Sequence, residues 1–322
     1  MDMKKARCAF GMTFCFLFST VCAQNPVDEG KKLFDAKKYD EAKAIFEQVV
    51  KSKPHDAQAN YFLSRIYLHS GDFEQAQKYL EKAVEIDEGN IDYHLALANV
   101  YSEKARRAGF LSAARWAGKW KAELEKAFAI DAKNLEARRR LINYYLNAPA
   151  IGGGDKQKGK KLAEETIAID EIQGRLLLAY AFRQTKNIEL AIAEYEKVLQ
   201  LDPQNGAAYN ALGYAFLRQK DYDAAEQNFK KYVEGARDDP NAYDSLGDCY
   251  AERGMINEAM AQYQKALETD STFSASRFKL AEEYEKKQMT EKAIFHYEQI
   301  IALTPADIRA EDAGKHIRKL KK

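Results

Sequence analysis

Residues 57–90 read AQANYFLSRIYLHSGDFEQAQKYLEKAVEIDEGN, and residues 240–273 read PNAYDSLGDCYAERGMINEAMAQYQKALETDSTF. Aligned without a gap, the two share a frame: Leu63, Tyr67, Gly71, Ala76, Leu80 and Ala83 stand where Leu246, Tyr250, Gly254, Ala259, Tyr263 and Ala266 stand. The frame recurs through Leu212, Gly213, Phe216, Ala225 and Phe229, and again through Leu280, Ala281, Tyr284, Ala293 and Tyr297. Frames start at 23, 57 and 91, then at 172, 206, 240 and 274, in steps of 34 residues. The 81 residues between 91 and 172 hold two further repeats and 13 extra residues. Self-similarity at such a period marks an array of stacked units, not a single closed core.

Each unit predicts two amphipathic helices, because apolar residues at positions 4, 7, 8 and 11 follow the i, i+3, i+4, i+7 spacing and the second half repeats it. Small residues at positions 8 and 20 let the two helices approach closely. Pro54, Pro203 and Pro305 close their units where proline ends a helix at little cost. Gly71-Asp72 and Lys220-Asp221 mark the turn between the helices.

This pattern resembles the tetratricopeptide repeat (TPR), carried by Leu followed by Gly, Ala or Ser at 7–8, Tyr or Phe at 11, Ala at 20, an aromatic or Leu at 24 and Pro at 32. The resemblance implies an all-α solenoid, a right-handed superhelix of about eight helix-turn-helix repeats. Units are expected near 24–56, 57–90, 91–134 with an insertion, 135–171 with a long loop, 172–205, 206–239, 240–273 and 274–307. Residues 308–322 fit no further unit, and Ile308, Ala313, Ile317 and Leu320 predict an amphipathic capping helix over the last apolar face.

Residues 1–23 read differently. Lys4, Lys5 and Arg7 precede an apolar run from Cys8 to Val21, and Val21-Cys22-Ala23 offers small side chains before Gln24, the layout of a secretory signal peptide. The expectation is a periplasmic or secreted protein after cleavage, with an uncleaved N-terminal membrane anchor as the alternative. Cleavage removes Cys8, Cys15 and Cys22 and leaves Cys249 alone, so no internal disulfide is expected. It also leaves 47 Lys/Arg against 48 Asp/Glu, a balance that calls for no nucleic acid. With 46% hydrophobic residues the chain is too apolar for disorder, and 31% charged residues exclude a multi-span membrane protein.

No catalytic frame emerges. The five histidines are scattered without an HExxH or His-Cys cluster, and no metal or other cofactor is expected. Gly154 to Lys160 has phosphate-loop spacing, but Lys161 stands where a hydroxyl is needed and no strand precedes it. The expected class is a binding scaffold, not an enzyme.

Two features stand outside the repeat. The segment 104–121, KARRAGFLSAARWAGKWK, carries most of the excess length and both tryptophans. Trp116 and Trp120 share a helical face, either packed into the core or, with Arg107, Arg115 and Lys119, forming an insertion surface for a partner or membrane. The rest of the excess makes the glycine-rich loop from Asn147 to Asp155. Second, residues 101–161 hold 15 Lys/Arg against 6 Asp/Glu, a basic island in an otherwise acidic chain.

The TPR resemblance implies that positions 2, 5, 9, 12 and 13 of each first helix face a concave surface. Candidate groove residues are then Arg65, His69, Asn99, Arg139, Asn143, Asn147, Tyr180, Arg183, Asn210, Tyr214 and Arg218, with Asp244, Asp248, Glu252 and Glu282 making an acidic C-terminal end. The expected partner is a protein or peptide, with an acidic segment for the basic island; the alternative is a membrane-surface or anionic-polymer module working through Trp116, Trp120 and that island.

Overall fold

The computed structural model describes residues 25–305 and 307–322; the signal peptide expected at 1–23 lies outside the described residues. Seventeen α-helices follow one another there, with no strand among the described residues. The first four are α1 (Pro26–Asp35), α2 (Tyr39–Ser52), α3 (Ala57–His69) and α4 (Phe73–Ile86). Next come α5 (Ile91–Arg107), α6 (Phe110–Ile130), α7 (Leu135–Asn147) and α8 (Lys156–Thr166). Then follow α9 (Glu171–Gln184), α10 (Ile188–Leu201), α11 (Gly206–Arg218) and α12 (Tyr222–Gly235). The last are α13 (Pro240–Glu252), α14 (Ile256–Thr269), α15 (Ser274–Lys286), α16 (Thr290–Leu303) and α17 (Ile308–Leu320). Each helix packs on the next, and α1 also touches α3, α7 touches α9, and α11 touches α13, so odd-numbered helices form an inner layer. This is an all-α TPR solenoid.

The local signals are consistent along the chain. Asp56, Asn90, Asn134, Asp170, Asn205 and Asp239 each cap an inner helix, the side-chain oxygen accepting a backbone N–H of the first turn. The turn inside six of the pairs uses one left-handed residue: Lys37, Gly71, Lys186, Lys220, Gly254 or Gln288. At each, its own N–H and the following one return to carbonyls of the helix just ended, as in Gly71 N to Leu68 O (3.1 Å) and Asp72 N to Tyr67 O (2.9 Å). Only two of the six are glycine, so four non-glycine residues accept the left-handed conformation because the motif demands it.

Close approach explains the small residues. A Cβ on Gly213 would come within 2.5 Å of Phe229, and one on Gly247 within 2.5 Å of Tyr263. The glycine of the inner helix is therefore the seat for the aromatic of the outer one, and Ala225 and Ala259 beside them are wholly buried. At the C-terminus α17 packs on α16, burying Ala313 among Ala281, Ala293, Tyr297 and Ile300. Glu285 ties the two together, accepting from His316 (2.7 Å), Lys319 (3.0 Å) and Tyr297 (3.2 Å).

The two pairs lacking the left-handed turn at its usual place are α5–α6 and α7–α8, where the sequence departs from the period. Helices α5 and α6 run to 17 and 21 residues, against 13 and 14 for α3 and α4. The extra length is two longer helices of one hairpin, not an added element.

Candidate functional site: the concave groove

The inner helices carry the candidate groove residues, and they fall into groups. Arg65 is exposed and lies over the rings of Phe34 (4.7 Å) and Tyr61 (5.7 Å); His69 is exposed with its ring 4.3 Å from that of Tyr39. Asn99, Arg139 and Asn143 come together, lining one cleft of about 220 Å³ with Ser102, Trp120 and Arg140. Asn147 and Tyr180 bond each other, the tyrosine hydroxyl donating to Asn147 Oδ1 at 2.9 Å and Asn147 Nδ2 donating to the hydroxyl at 2.7 Å. Arg183 covers the Tyr180 ring at 5.0 Å, and its buried Nε has no hydrogen-bond partner. Asn210 Oδ1 is likewise buried without one. Arg218 is exposed, and no ion pair to it is found among the described residues. Tyr214 is half-buried against Phe229 and donates to Asp248 at 2.9 Å.

The cleft in the first of these groups is donor-rich. Glu136 accepts from both Arg139 (2.9 and 2.6 Å) and Arg140 (2.6 Å), so one carboxylate answers two guanidinium groups. Burial works against that carboxylate, but the two arginines prevail and hold Glu136 below its usual range. Arg140 also donates to Leu95 O at 3.0 Å, which fixes it against α5.

Of the four acidic residues at the C-terminal end of the groove, Glu252 is exposed, but Asp244 and Asp248 do not make the open stripe that the sequence suggests. Lys279 donates to Asp244 (2.8 Å) and to Asp248 (2.6 Å), Ser276 donates to Asp244 (2.7 Å), and Tyr263 donates to Asp248 (3.0 Å). With Tyr214 this is a closed network across α11, α13, α14 and α15. Asp244 is only 4% exposed; burial pushes its pKa up, and the attraction of Lys279 does not fully offset it. Sequence reasoning missed Lys279 because it sits one position beside the groove stripe. Its signal was the basic residue 31 and 35 positions after two aspartates, about one repeat on.

The tryptophans of the long hairpin are half-buried. Trp116 stacks on Tyr101 (5.7 Å between centroids) with Lys104 over it at 4.5 Å, and Trp120 meets Tyr144 edge-on at 4.8 Å. Trp116 packs with the α4–α5 core, while Trp120 packs with both that core and the α7–α8 one. Around them Arg107 lies over Phe73 (4.6 Å), Arg115 over Trp116 (5.8 Å), and Lys119 reaches Glu81 (3.7 Å). Four carboxylates from outside the basic window answer it: Glu74 and Glu81 of α4 pair with Lys104 and Lys119, and Glu164 and Glu165 of α8 pair with Lys160 and Lys161.

The glycine loop belongs to the same construction. The Tyr144 hydroxyl reaches Ala117 O (3.0 Å) in the added part of α6 and Gly152 O in the loop. Gly153 takes a left-handed conformation beside Lys121, and a Cβ on Gly154 would overlap the Ala148 carbonyl. Asp155 then caps α8. Beneath the hairpin, buried His94 uses both ring nitrogens, Nδ1 to Glu123 (2.6 Å) and Nε2 to Glu88 O (2.9 Å). Two acceptors require both nitrogens to carry protons, and the Glu123 hydrogen bond accordingly raises the His94 pKa.

Among the described residues no cluster of three or more His, Cys, Asp or Glu is placed to hold a metal ion, and no helix is long and apolar enough to cross a membrane. Cys249 is buried, and burial pushes its thiol up to about 11.

The tetratricopeptide-repeat pattern matches residues 33–101, 176–243, 240–273 and 274–307. The chain belongs to the tetratricopeptide-repeat family. The unmatched stretch between 101 and 176 holds the rest of the long hairpin and the glycine loop, the two places where the frame is broken. TPR proteins generally bind protein or peptide partners, and the fold is typically a non-catalytic scaffold. No curated protein matches this chain. Among solved structures, the human IFIT1 dimer with m7Gppp-AAAA is similar over 91% of this chain and 71% of that one, at 18% identity and TM-score 0.55. A tetratricopeptide repeat protein from Parabacteroides merdae is similar over 86% of this chain and 99% of that one, at 13% identity and TM-score 0.52. The chain spans 55% of the length of a chain of the APC/C hetero-tetramer, at 16% identity and TM-score 0.46. At these identities the likenesses concern the fold alone.

Proposed function

We propose that this TPR protein is an exported, non-catalytic adaptor that holds an extended segment of another protein in its concave groove, with the basic stretch 101–161 favouring an acidic segment. The observation that carries the reading is the run of unanswered polar groups on the inner helices from α5 to α11. Arg183 Nε and Asn210 Oδ1 are buried without a hydrogen-bond partner, and the side chains of Asn99, Asn143 and Arg218 make no hydrogen bond or ion pair among the described residues. Polar atoms left unpaired on a concave surface are costly unless water or a ligand answers them. An extended peptide offers backbone N–H and C=O groups in the same alternation.

The competing reading, a membrane-surface module working through Trp116 and Trp120, is weakened by the packing of both rings against the core. Affinity capture from the native envelope, with wild type and with Arg183→Glu/Arg218→Glu, tests the adaptor reading. The expected result is a captured protein that the double variant loses. An unchanged capture, together with salt-sensitive sedimentation on anionic vesicles, sinks it in favour of the membrane reading.

A further inference from the structure

The two ends of the solenoid come round to face each other. A cleft of about 310 Å³ is lined on one side by Leu68 and His69 at the end of α3, Phe73 at the start of α4 and Glu103 on α5. Its other side holds Leu303, the last residue of α16, and Asp307, the N-cap of α17. Glu103 and Leu303 are 200 residues apart in the chain, so the superhelix has returned to its own beginning. The neighbouring turns give a second sign. The Thr272 hydroxyl and N–H hold the Asp270 carboxyl, just after α14, below its usual range against the opposing effect of burial, and the charge of Lys37 from the α1–α2 turn adds to them.

This seam is lined for contact but not fastened. Among the described residues no hydrogen bond or ion pair crosses the cleft, and Lys37 has no ion-pair partner. Leu303 is 40% exposed beside Leu68 and Phe73, an apolar set that gains from losing water. The carboxylates of the cleft do not hold it apart, because Arg106 answers Glu103 and Ser274 and Arg309 answer Asp307. Stacked repeats touch only their neighbours, so a small rotation at each interface accumulates around the whole turn and appears as a change in the width of the seam.

We propose that the α16–α17 corner is a latch on the α3–α4 turn: closed, it makes the groove a ring, and open, it admits a partner segment from the side. Closure is a property of this chain alone; only the gating of a partner rests on the groove reading above. Burial of Leu303 and the attraction between Lys37 and Asp270 favour the closed form.

Spin labels on Ser70→Cys and Ala302→Cys, both exposed and just outside the lining, report the width by double electron–electron resonance. The full chain is used with Cys8→Ser, Cys15→Ser and Cys22→Ser, and Cys249 is buried and stays unlabelled. The expected result is two distances, the shorter one depleted as salt screens the Lys37–Asp270 attraction. Leu303→Asp sets a carboxylate against Leu68 and Phe73 and should lower the closed-to-open ratio about tenfold, equivalent to about 1.4 kcal/mol. Lys37→Glu should lower it by a smaller factor, since exposed charge pairs are weak. Both positions are exposed, so an unchanged melting temperature shows that the variants fold. A single distance that neither salt nor either variant moves overturns the latch. The gate is tested with an acidic segment carried in a loop of a folded protein, which cannot thread end-first. Bridging the two cysteines with a short bis-maleimide should slow its association about tenfold or more, beyond the spread usual among variants of one interface only if entry is blocked. Unchanged association in the bridged protein overturns the gate. No binding in either form, with the salt-dependent distances intact, removes the groove reading and leaves the latch.

Discussion

The two halves of the groove are built on one repeat and treat their polar side chains differently. In the half made by α13 and α15, Asp244 and Asp248 are consumed by Lys279, Ser276 and two tyrosines, and Glu252 at the end of α13 stays exposed. In the half from α5 to α11, Arg139 pairs with Glu136 and Asn147 with Tyr180, while the side chains of Asn99, Asn143 and Arg218, Arg183 Nε and Asn210 Oδ1 stay unanswered among the described residues. The difference lies in what stands about one repeat further on. Lys279 follows the two aspartates at that distance, whereas Arg218 follows Arg183 and can only repel it. Groove position decides which residues face inward, but the neighbouring unit decides whether they are available. One half ties its aspartates into the solenoid, and the other leaves side chains open, which is what the proposed binding role needs.

The largest effect that separates the halves is on stability. Lys279→Ala removes the cation from two carboxylates, one of them nearly buried, and should cost about 3 kcal/mol, as breaking a buried pair by deleting one partner does. Urea and thermal unfolding measure it. The pH dependence has a definite sign. Asp244 has its folded pKa raised by burial, so its ionised form is destabilising in the fold, and stability is regained as pH falls through that value. Without Lys279 this becomes stronger, and the deficit of the variant should narrow between neutrality and about pH 4. A deficit that stays constant over that range would show that the network is held by packing, not charge.

A smaller effect comes from the buried His94–Glu123 ion pair between α5 and α6. His94→Gln should cost about 2 kcal/mol at neutral pH, since Glu123 keeps Lys126 but loses a buried partner. The raised His94 pKa means its contribution is complete below the unfolded histidine value and is lost as pH climbs through the folded one. Burial raises the Glu123 pKa, but His94 and Lys126 outweigh it and leave it lowered. That part of the contribution is present above the unfolded carboxyl value and disappears as pH falls through the folded one. The stability gap between wild type and variant should therefore be widest between the two ranges and close on both sides. A gap that keeps growing into alkaline solution would mean that His94 packs as a neutral ring.

The period and the helix pairs were legible because each is local. The small residues at position 8 put the Gly213–Phe229 and Gly247–Tyr263 seats within one unit, as spacing alone shows. What escaped was relation between units. The stripe named Arg139, Asn143 and Asn99, but not that they meet, nor that Trp120 joins them from an outer helix. The tryptophans and the glycine loop read as separate features, whereas Tyr144 binds the loop to the added turns of α6. The basic excess was overstated for the same reason. A window from 101 to 161 omits Glu164 and Glu165, one helical turn away, and omits Glu74 and Glu81 of α4, which pair with Lys104 of α5 and Lys119 of α6.

The smallest stability effect is the sharpest test of the comparison. Arg183 looks like a structural residue, half-buried and lying over Tyr180, but its Nε is buried without a partner and its guanidinium makes no ion pair. Arg183→Gln removes an unanswered donor and a charge that faces Arg218, and loses only the stacking on one ring, which is worth about 0.5–1 kcal/mol at an accessible site. These changes oppose each other, so unfolding should shift by less than about 0.5 kcal/mol, the range of substitutions that break no named interaction. Partner or peptide affinity should nevertheless fall about tenfold or more. Set beside Lys279→Ala, the pattern is a crossed one: a residue of the closed half that changes stability and spares binding, and a residue of the open half that does the reverse. If Arg183→Gln destabilises as much as Lys279→Ala, then the open half is glue as well, and its unpaired atoms are answered by ordered water between the helices instead of by a ligand.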